Sequence, residues 1–392
     1  MRISPLIIGL LLVHLLMHAW YATRFEDTGA YIVSRPAVFT KGLVAARFAD
    51  GTSQHVLVLS KAIVFSKDLF VVNFLYHESI IQWHNGTSQV PVQLDDVSAM
   101  SLWCEGPTEV RTRVQCHSII PHVTICTCLL PTHTGYVSMV DQGRYGLITK
   151  LELPSSPPWE IRYALSVCSA PLQDNLAHVI PEWIEYHLLQ GVEHFYLYLP
   201  YSNMSLPTVL QRYVTAGLVT FREFNFGNAS FVKGTEQFLQ TQAQQDCLAQ
   251  FSDSSAWIAF IDTDEYLFSP SGLTVRQLVD QQNGNLSALV IRMISFEGTS
   301  SNSSLVIERW KRRAPRVHLD GRTKVIVQTN NTFSVTIHHL HKGSRFIDVK
   351  PHLMRLNHYV SLHRTRSFTS GLVTDTSALV FVDKLKQALS SR

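Results

Sequence analysis

Strand-like and helical segments alternate along the second half of this chain. The alternating segments, with the strand first in each pair, are residues 162–167 and 179–189, residues 195–199 and 206–216, and residues 219–221 and 236–251. Pro181 stands near the start of the first helical segment and Gly217 follows the second, as helix boundaries prefer. Because parallel strands need a crossover that is usually a helix, we expect an α/β fold with a mostly parallel, Rossmann-like sheet.

The next apolar run, residues 256–261, stops at Asp262-Thr263-Asp264-Glu265. A buried strand that ends in carboxylates brings them to the carboxyl edge of the sheet, where α/β proteins bind ligands. With strand-like alternation Asp262 and Asp264 face one side, and Glu265 points the other way in a structural role. Carboxylate oxygens suit Mn²⁺ or Mg²⁺. The alternative, that these acids only cap the next turn, stays open.

The first half of the chain has a different pattern. Short β runs between polar or glycine turns, such as residues 42–46, 56–59 and 69–72, predict a β-rich domain. The Pro- and Ser-rich segment 153–158 is the predicted linker. With 46% hydrophobic and 16% charged residues the chain is not disordered, and a net charge of +3 predicts no nucleic-acid partner.

The N-terminus predicts a membrane anchor. No Asp, Glu, Lys or Arg occurs from residue 3 to residue 23, and about 20 apolar residues span a bilayer as a helix. Arg2 precedes the run and favours a cytoplasmic N-terminus; a cleaved signal peptide is the alternative. The predicted organisation is a signal anchor at 1–23, a stem and β-rich domain at 24–160, and the α/β domain at 161–392.

Two features favour a lumenal or extracellular body. Six N-glycosylation sequons begin at Asn85, Asn203, Asn228, Asn285, Asn302 and Asn330. The six cysteines are Cys104, Cys116, Cys126, Cys128, Cys168 and Cys247. Four of them fall within 25 residues, which favours disulfides in an oxidising compartment. A zinc site is the alternative, although the spacings match no standard zinc finger.

Several sequence blocks resemble glycosyltransferase family 92, whose members have a type A (single Rossmann-like) transferase fold. The blocks follow the family's order over about residues 165–360, and they are residues 168–172, 182–187, 191–198, 245–248, 257–267, 306–309, 323–327, 338–339 and 356–359. The resemblance implies metal-dependent, inverting transfer, typically of galactose from UDP-galactose to a glycan. It also implies a single-pass type II Golgi membrane protein with its catalytic domain, here residues 161–392, in the lumen.

The donor and metal residues follow from this chemistry. A divalent cation that bridges Asp oxygens and a diphosphate neutralises the leaving group, so we expect Asp262 and Asp264 to bind Mn²⁺ or Mg²⁺. A late histidine often completes such sites in type A enzymes, and His358 and His339 are the candidates. Asp262 is also expected to contact the UDP-sugar.

Two further residues are expected at the donor. Asp246 is placed against the ribose or base, with a helix cap as the alternative. Lys324 is placed at the phosphates, with a surface ion pair as the alternative. Neither residue type is specific enough by itself to exclude its alternative.

Inversion needs a general base that deprotonates the acceptor hydroxyl. Glu297, which follows the apolar strand 289–294, is the first candidate and Asp320 the second; a solvated loop carboxylate is the alternative for both. The chain departs from the family pattern at Leu199-Pro200, where Asp-Asn is usual, and at residues 297–300, where Gly-Ser is usual. A catalytically silent glycan-binding or scaffold relative is therefore the competing function. An unrelated metal-dependent hydrolase would need a second acidic cluster, which the sequence lacks.

Overall fold

The computed structural model describes the chain from residue 161 to residue 391 with gaps, and in the first half only strands between residues 44 and 152. The gaps are residues 173–177, 200–207, 224–228, 232–235, 283–285, 298–304, 319–321, 333–334, 339, 341–344 and 360–370. In the first half, side chains are described only at 103–105 and 111–113. The predicted anchor at 1–23 lies outside the described residues. Within the described part, no helix is both long and apolar enough to cross a membrane.

The chain divides into two compact units. One consists of Met1–Ser156 and Phe226–Thr235, and the other of Pro157–Asn225 and Glu236–Arg392. The chain first passes between them at Ser156, inside the Pro- and Ser-rich segment. It then returns to the first unit for ten residues, so a single boundary near residue 160 does not describe the division.

The first unit contains antiparallel strands. They are β1 (Val44–Ala49), β2 (Gln54–Leu59), β3 (Ile63–Phe65), β4 (Asp68–His77), β5 (Ile81–Trp83), β6 (Leu102–Glu105), β7 (Arg111–Arg113), β8 (Gln115–Ile120), β9 (Val123–Pro131), β10 (Tyr136–Asp141) and β11 (Gly146–Glu152). One sheet has the order β1-β2-β4-β9-β8, with β3 on β4, and another has the order β11-β10-β6-β7.

The second unit begins with the predicted alternation of strands and helices. Its first elements are β12 (Tyr163–Pro171), α1 (Ile180–Leu189), β13 (His194–Leu199), α2 (Gln211–Thr215) and β14 (Val219–Glu223). Then follow α3 (Glu236–Phe251), β16 (Ser255–Ile261) and β17 (Glu265–Phe268). The segment before α3 that returns to the first unit carries β15 (Ala229–Phe231), which pairs with β5 of that unit.

The remaining elements alternate less regularly. They are α4 (Val275–Asp280), β18 (Ala288–Glu297), α5 (Val306–Arg309), β19 (Arg312–Arg313), β20 (Thr323–Gln328), β21 (Phe346–Asp348), β22 (Arg355–Tyr359), β23 (Val373–Thr374) and α6 (Val382–Ser391). Gly191 after α1 and Gly217 after α2 have positive φ angles of 86° and 70°, which glycine adopts without strain. A Cβ on Gly191 would also lie 2.5 Å from the Arg276 side chain.

The sheet of the second unit is mixed, which corrects the expectation of a mostly parallel sheet. Strands β14-β13-β12-β16 are parallel neighbours, as the alternation predicts. Beyond β16 the order continues β20-β18-β19-β23 with antiparallel pairs, while β22 lies parallel to β18 and antiparallel to β17. An apolar run has strand length but no sign of direction, so the sequence could not show where the sheet changes to antiparallel pairing.

Helices α1 and α3 cover opposite faces of the four parallel strands. Residues at odd positions of β12, β13 and β16 share a buried cluster with α1, where the Trp183 and Phe195 rings lie 5.5 Å apart. Even positions contact α3: the Tyr196 ring stacks on Phe251 at 3.7 Å. The alternation of side chains across a strand produces this division.

A disulfide joins Cys168 of β12 to Cys247 of α3 and closes a span of 79 residues. Cys104 is also disulfide-bonded. The expected use of cysteines in disulfides is confirmed at these positions, although the sequence did not indicate which cysteines pair. The Cys168–Cys247 bond fixes α3 on the sheet next to the strand that leads to Asp262.

Helix α1 also positions a distant short helix. The carboxylate of Glu182 accepts hydrogen bonds from the backbone N–H groups of Val306 (2.7 Å) and Ile307 (3.3 Å) at the start of α5. Burial raises the pKa of Glu182 to about 7, although the two N–H groups and Arg309 oppose this rise, and Glu308 adds to it. A carboxylate caps α5 because helix N-termini attract negative charge.

This raised pKa predicts a pH-dependent stability. Between pH 4.5 and about 7 the folded chain binds more protons at Glu182 than the unfolded chain. The contribution of Glu182 to the free energy of unfolding is therefore fully present below pH 4.5 and is lost as pH rises through about 7. The loss is on the order of 3 kcal/mol. We expect Glu182→Gln to reduce the slope of unfolding free energy against pH in urea titrations at pH 5 to 8. A wild-type slope in this variant, or an equal change in the surface variant Asp280→Asn, would contradict the assignment.

Candidate active site

The chain turns sharply where β16 ends. The N–H of Glu265 donates to the carbonyl oxygen of Asp262 (3.1 Å), and Oε2 of Glu265 accepts a hydrogen bond from the N–H of Asp262 (2.7 Å). This turn replaces the extended chain that the sequence analysis expected. Alternation of side chains holds only in extended backbone, so the predicted direction of Glu265 was wrong, and its carboxylate lies near Asp264 instead. Its hydrogen bond from the Asp262 N–H is a structural contact.

The turn brings three potential metal ligands together. Glu265 is paired with His358 across strands β17 and β22, and Nε2 of His358 lies 3.1 Å from Oδ2 of Asp264. One ligand atom from each of Asp264, Glu265 and His358 lies within 4.8 Å of the others. Asp264 and Glu265 are buried. Two carboxylates and an imidazole thus converge at the carboxyl end of β16.

This group fits a divalent cation. Ligand atoms around an octahedral ion at about 2.1 Å lie about 3.0 Å apart when adjacent and about 4.2 Å apart when opposite. The 3.1 Å between Oδ2 of Asp264 and Nε2 of His358 matches the spacing of adjacent ligands. The 4.8 Å within which all three ligand atoms lie is close to the spacing of opposite ligands. Oxygen ligands with one imidazole suit Mn²⁺ and Mg²⁺ better than a thiophilic metal.

Asp262, the first acid of the motif, is engaged differently. Its Oδ1 accepts a hydrogen bond from Nε2 of Gln240 (2.7 Å), and its Oδ2 lies 3.0 Å from the ammonium of Lys324. Lys324 is 1% exposed and also lies 3.4 Å from Oε2 of Glu265. Lys324 therefore neutralises two acids of the site. This places it away from the predicted phosphate contact, because its ammonium is enclosed between carboxylates.

The electrostatics of the group follow from burial and close charges. Burial, and then the negative charge of Asp262, raise the pKa of Glu265. Burial alone would lower the pKa of His358, but the Asp264 carboxylate outweighs it and the pKa rises to about 9. The pKa of Lys324 is also raised, because Asp262 and Glu265 outweigh its burial. The carboxylates of Asp262 and Asp264 thus each lie beside a protonated side chain, Lys324 and His358 respectively.

Helix α1 holds the strand that carries this group. Nε1 of Trp183 donates to the carbonyl oxygen of Glu265 (2.9 Å), and the Tyr186 hydroxyl donates to that of Leu267 (3.1 Å). Nε2 of His187 accepts the N–H of Leu267 (3.3 Å). Burial lowers the pKa of His187 to about 3, so the ring is neutral at physiological pH. These side chains are buried in the core and also fix the position of β17.

A second group of polar side chains lies on the same face of the sheet. Ser295 of β18 is the register partner of His358, and Met293, two residues earlier, places its sulfur 3.1 Å from Nδ1 of His358. Glu297 follows at the next position of this face, half-buried at the strand end, roughly 8 Å from His358 between Cα atoms. The first predicted base is thus on the face that carries the ligand group.

His318 was not singled out from the sequence. Its Nε2 lies 2.7 Å from the hydroxyl of Ser295, and Ser295 is the residue paired with His358 in the sheet. No motif surrounds His318, and its position depends on the segment after β19 running beside β18, where its N–H donates to the carbonyl oxygen of Met293 (2.9 Å). Sequence reasoning had no signal for this contact.

Asp246 is buried and engaged by two side chains. Both of its oxygens accept hydrogen bonds from Arg222 (3.1 and 3.2 Å), and the Tyr198 hydroxyl donates to Oδ2 (2.8 Å). Its side chain is 1% exposed, and the residue lies in the interior of α3, so it is not a helix cap. The predicted contact with the donor stays a prediction. The other two predicted residues, Asp320 and His339, lie outside the described residues.

Comparison with known proteins identifies the family. The sequence profile of glycosyltransferase family 92 matches residues 163–387, more than half of the chain. The chain belongs to glycosyltransferase family 92. The match covers α1, the β16–β17 turn and β22, so the ligand group lies entirely within the family region.

Curated relatives are distant and longer. A family 92 protein of Ricinus communis is 25% identical over 203 residues, 49% of this chain and 35% of that protein. The galactan beta-1,4-galactosyltransferase GALS1 of Arabidopsis thaliana is 27% identical over 202 residues, 47% of this chain and 38% of that protein. The chain thus spans little more than a third of the length of these relatives.

One solved structure is similar over part of the chain. The crystal structure of residues 1–349 of S. aureus TarS covers 43% of this chain and 47% of that chain at 11% identity, with a TM-score of 0.27. A likeness of this size carries no argument about fold or function. Family membership rests on the sequence profile alone.

Proposed function

We propose that this family 92 protein transfers a hexose from a UDP-sugar to a glycan hydroxyl with inversion. The observation that carries the proposal is the convergence of Asp264, Glu265 and His358 at the carboxyl end of β16. Galactose is the first donor sugar to test, since one relative is named as a galactosyltransferase. The acceptor is a glycan because the family's reaction is glycosyl transfer.

The ligand group supports metal dependence. A Mn²⁺ or Mg²⁺ ion held by Asp264, Glu265 and His358 would supply neutralising charge to a diphosphate leaving group. The ion pair between Asp262 and Lys324 and the hydrogen bond from Gln240 to Asp262 hold the turn between β16 and β17 in place. They therefore fix the carboxylates of this turn before a donor binds. Such preorganisation avoids rearrangement during the reaction.

Glu297 is the proposed general base. An acceptor hydroxyl must lose its proton as it attacks the anomeric carbon, and a carboxylate oxygen on the same face as the ligand group can accept it. Glu297 is half-buried at the end of β18, two positions beyond the register partner of His358. Asp320 remains the second predicted base.

We expect Glu297→Gln to lower the turnover number about 100- to 10,000-fold, the usual contribution of a general base. Donor binding should remain within about twofold, since Glu297 does not belong to the ligand group. The measurement is kcat for transfer, together with UDP affinity. Glu308→Gln, which removes a half-buried carboxylate that pairs with Lys386, is the matched control. An unchanged kcat for Glu297→Gln would remove Glu297 as the base.

We further propose a lumenal location in the Golgi with an N-terminal membrane anchor. The apolar residues 3–23 support the anchor. The Cys168–Cys247 disulfide supports an oxidising compartment, and Asn330 of one sequon is exposed. Protease protection of the catalytic unit in intact microsomes would test this orientation; full digestion without detergent would contradict it.

The activity is tested by donor hydrolysis. The full chain, expressed through a secretory route, is incubated with UDP-galactose, UDP-glucose and the corresponding N-acetylhexosamine donors, with Mn²⁺ or EDTA, and the released UDP is measured. We expect slow release from one donor that EDTA abolishes. Release that is equal for all donors and insensitive to EDTA would contradict a metal-dependent transferase.

A catalytically silent glycan-binding protein is the second candidate. One observation favours it: Lys324 already provides a buried protein cation to Asp262 and Glu265. Such a protein would bind glycans without UDP release from any donor. It would also retain its glycan affinity in the presence of EDTA, whereas the transferase would lose donor binding.

A further inference from the structure

An exposed arginine stands beside the proposed base. Strand β19 pairs with the end of β18, and Arg312 is the register partner of Glu297. Directly opposite residues of an antiparallel pair point to the same face, with Cβ atoms about 5 Å apart. Arg312 therefore lies on the face that carries Glu297 and His358, on a strand that β23 pairs on its other side.

Within the described residues, the two arginines of β19 differ in their polar contacts. Arg313, on the opposite face, forms an ion pair with Asp375 (2.5 Å) and is structural. Arg312 is exposed, and in the described part of the chain its side chain has no ion-pair or hydrogen-bond partner, Glu297 included. Arg316, four residues further, is also exposed and unpaired within the described residues.

The half-buried Glu297 and the exposed Arg312 are adjacent in the ladder, but within the described residues their side chains form no ion pair with each other. A guanidinium offers a planar pair of donors that fits a carboxylate or a sulfate with two hydrogen bonds. Anion binding at Arg312 would place the rest of the acceptor against Glu297.

We propose that the acceptor glycan carries an anionic group, a carboxylate or a sulfate ester, that Arg312 binds while Glu297 deprotonates the neighbouring hydroxyl. Arg316 adds positive charge along the same segment. This inference rests on the proposed transferase function and specifies its acceptor class. The N–H donors of the Arg312 guanidinium can bind either a carboxylate or a sulfate. The acceptor could therefore contain a uronic acid or a sulfated sugar, and the test distinguishes these two.

The test compares three probes of equal length on the full chain. They are a neutral galacto-oligosaccharide, an oligogalacturonide and a sulfated galacto-oligosaccharide, with binding measured by calorimetry at physiological salt. We expect one charged probe to bind at least about tenfold more tightly than the neutral one, since charge-assisted hydrogen bonds contribute about 1.5–3 kcal/mol. The probe that is preferred identifies the carboxylate or the sulfate as the source.

Variants separate a specific site from general positive charge. Arg312→Ala should lose about tenfold or more of the affinity for the preferred charged probe and none for the neutral one, and Arg312→Lys should be intermediate. Arg345→Ala removes an equally exposed arginine at the opposite end of β18 and should change no affinity by more than about twofold. Equal wild-type affinities for all probes, or an equal loss in Arg345→Ala, would overturn the proposal.

UDP release from the same preparation tests the transferase function separately from the anionic acceptor. If the donor is hydrolysed but no charged probe is preferred, the anionic acceptor is refuted and the transferase remains. If neither hydrolysis nor UDP binding occurs with Mn²⁺, the transferase is refuted, and the acceptor assignment falls with it.

Discussion

Asp264→Asn is expected to lower the rate of UDP-sugar turnover about 100- to 1,000-fold while leaving the chain folded. The carboxylate is the member of the ligand group that lies 3.1 Å from His358, and an amide of the same shape removes its charge and one metal-ligating oxygen. Loss of several kcal/mol of charge stabilisation in the transition state corresponds to that factor. The backbone carbonyl of Asp264, which accepts the N–H of Tyr359 (2.9 Å), is unchanged.

The measurement is released UDP at saturating Mn²⁺, with the thermal unfolding midpoint as the test of folding. Asp280→Asn makes the same chemical change at the end of α4, where the carboxylate pairs with Arg276 on the surface. It should keep turnover within about twofold of the wild type. Turnover within about threefold of the wild type in Asp264→Asn itself would show that the ligand group is not the catalytic centre.

The second large effect concerns the disulfide between β12 and α3. Replacing both Cys168 and Cys247 by Ala is expected to lower the free energy of unfolding by about 4 kcal/mol, because the bond closes a span of 79 residues and restricts the unfolded chain. Both cysteines are fully buried, so removal of the sulfurs also loses packing. Helix α3 carries Gln240, which holds Asp262, and turnover should therefore fall with stability.

Guanidinium titration under non-reducing conditions measures this difference. With dithiothreitol the wild type should lose stability and approach the double variant, because the same bond is then open in both. A double variant within about 1 kcal/mol of the wild type under non-reducing conditions would contradict a stabilising bond at this position.

The elements that carry the site could be predicted from the sequence because these elements depend on local sequence patterns. The apolar run before Asp262 became β16, and the Gln-rich segment became α3 with the same bounds as predicted. The late histidine His358 lies against Asp264 as the resemblance implied. These features follow from strand length, helical periodicity and short motifs, which neighbouring residues determine.

Other features of the site depend on contacts distant in sequence. The turn that directs Glu265 toward His358 is set by pairing of β17 with β22, about 90 residues later. Asp246 is engaged by Arg222 and Tyr198 from two other strands. The mixed sheet likewise depends on which strands meet after β16. Hydrophobic periodicity does not show which distant residues pair, so the sequence singled out Lys324 without showing that Asp262 and Glu265 lie beside it.

Binding of Mn²⁺ to the full chain tests the central claim most directly, because it does not depend on knowing the acceptor. Electron paramagnetic resonance of free Mn²⁺ counts the ions that the protein removes from solution. We expect one bound ion per wild-type chain in the presence of UDP, loss of that ion in Asp264→Asn, and its retention in Asp280→Asn. A wild-type chain that binds no Mn²⁺, or an Asp264→Asn variant that binds it as tightly as the wild type, would contradict a metal site at Asp264, Glu265 and His358.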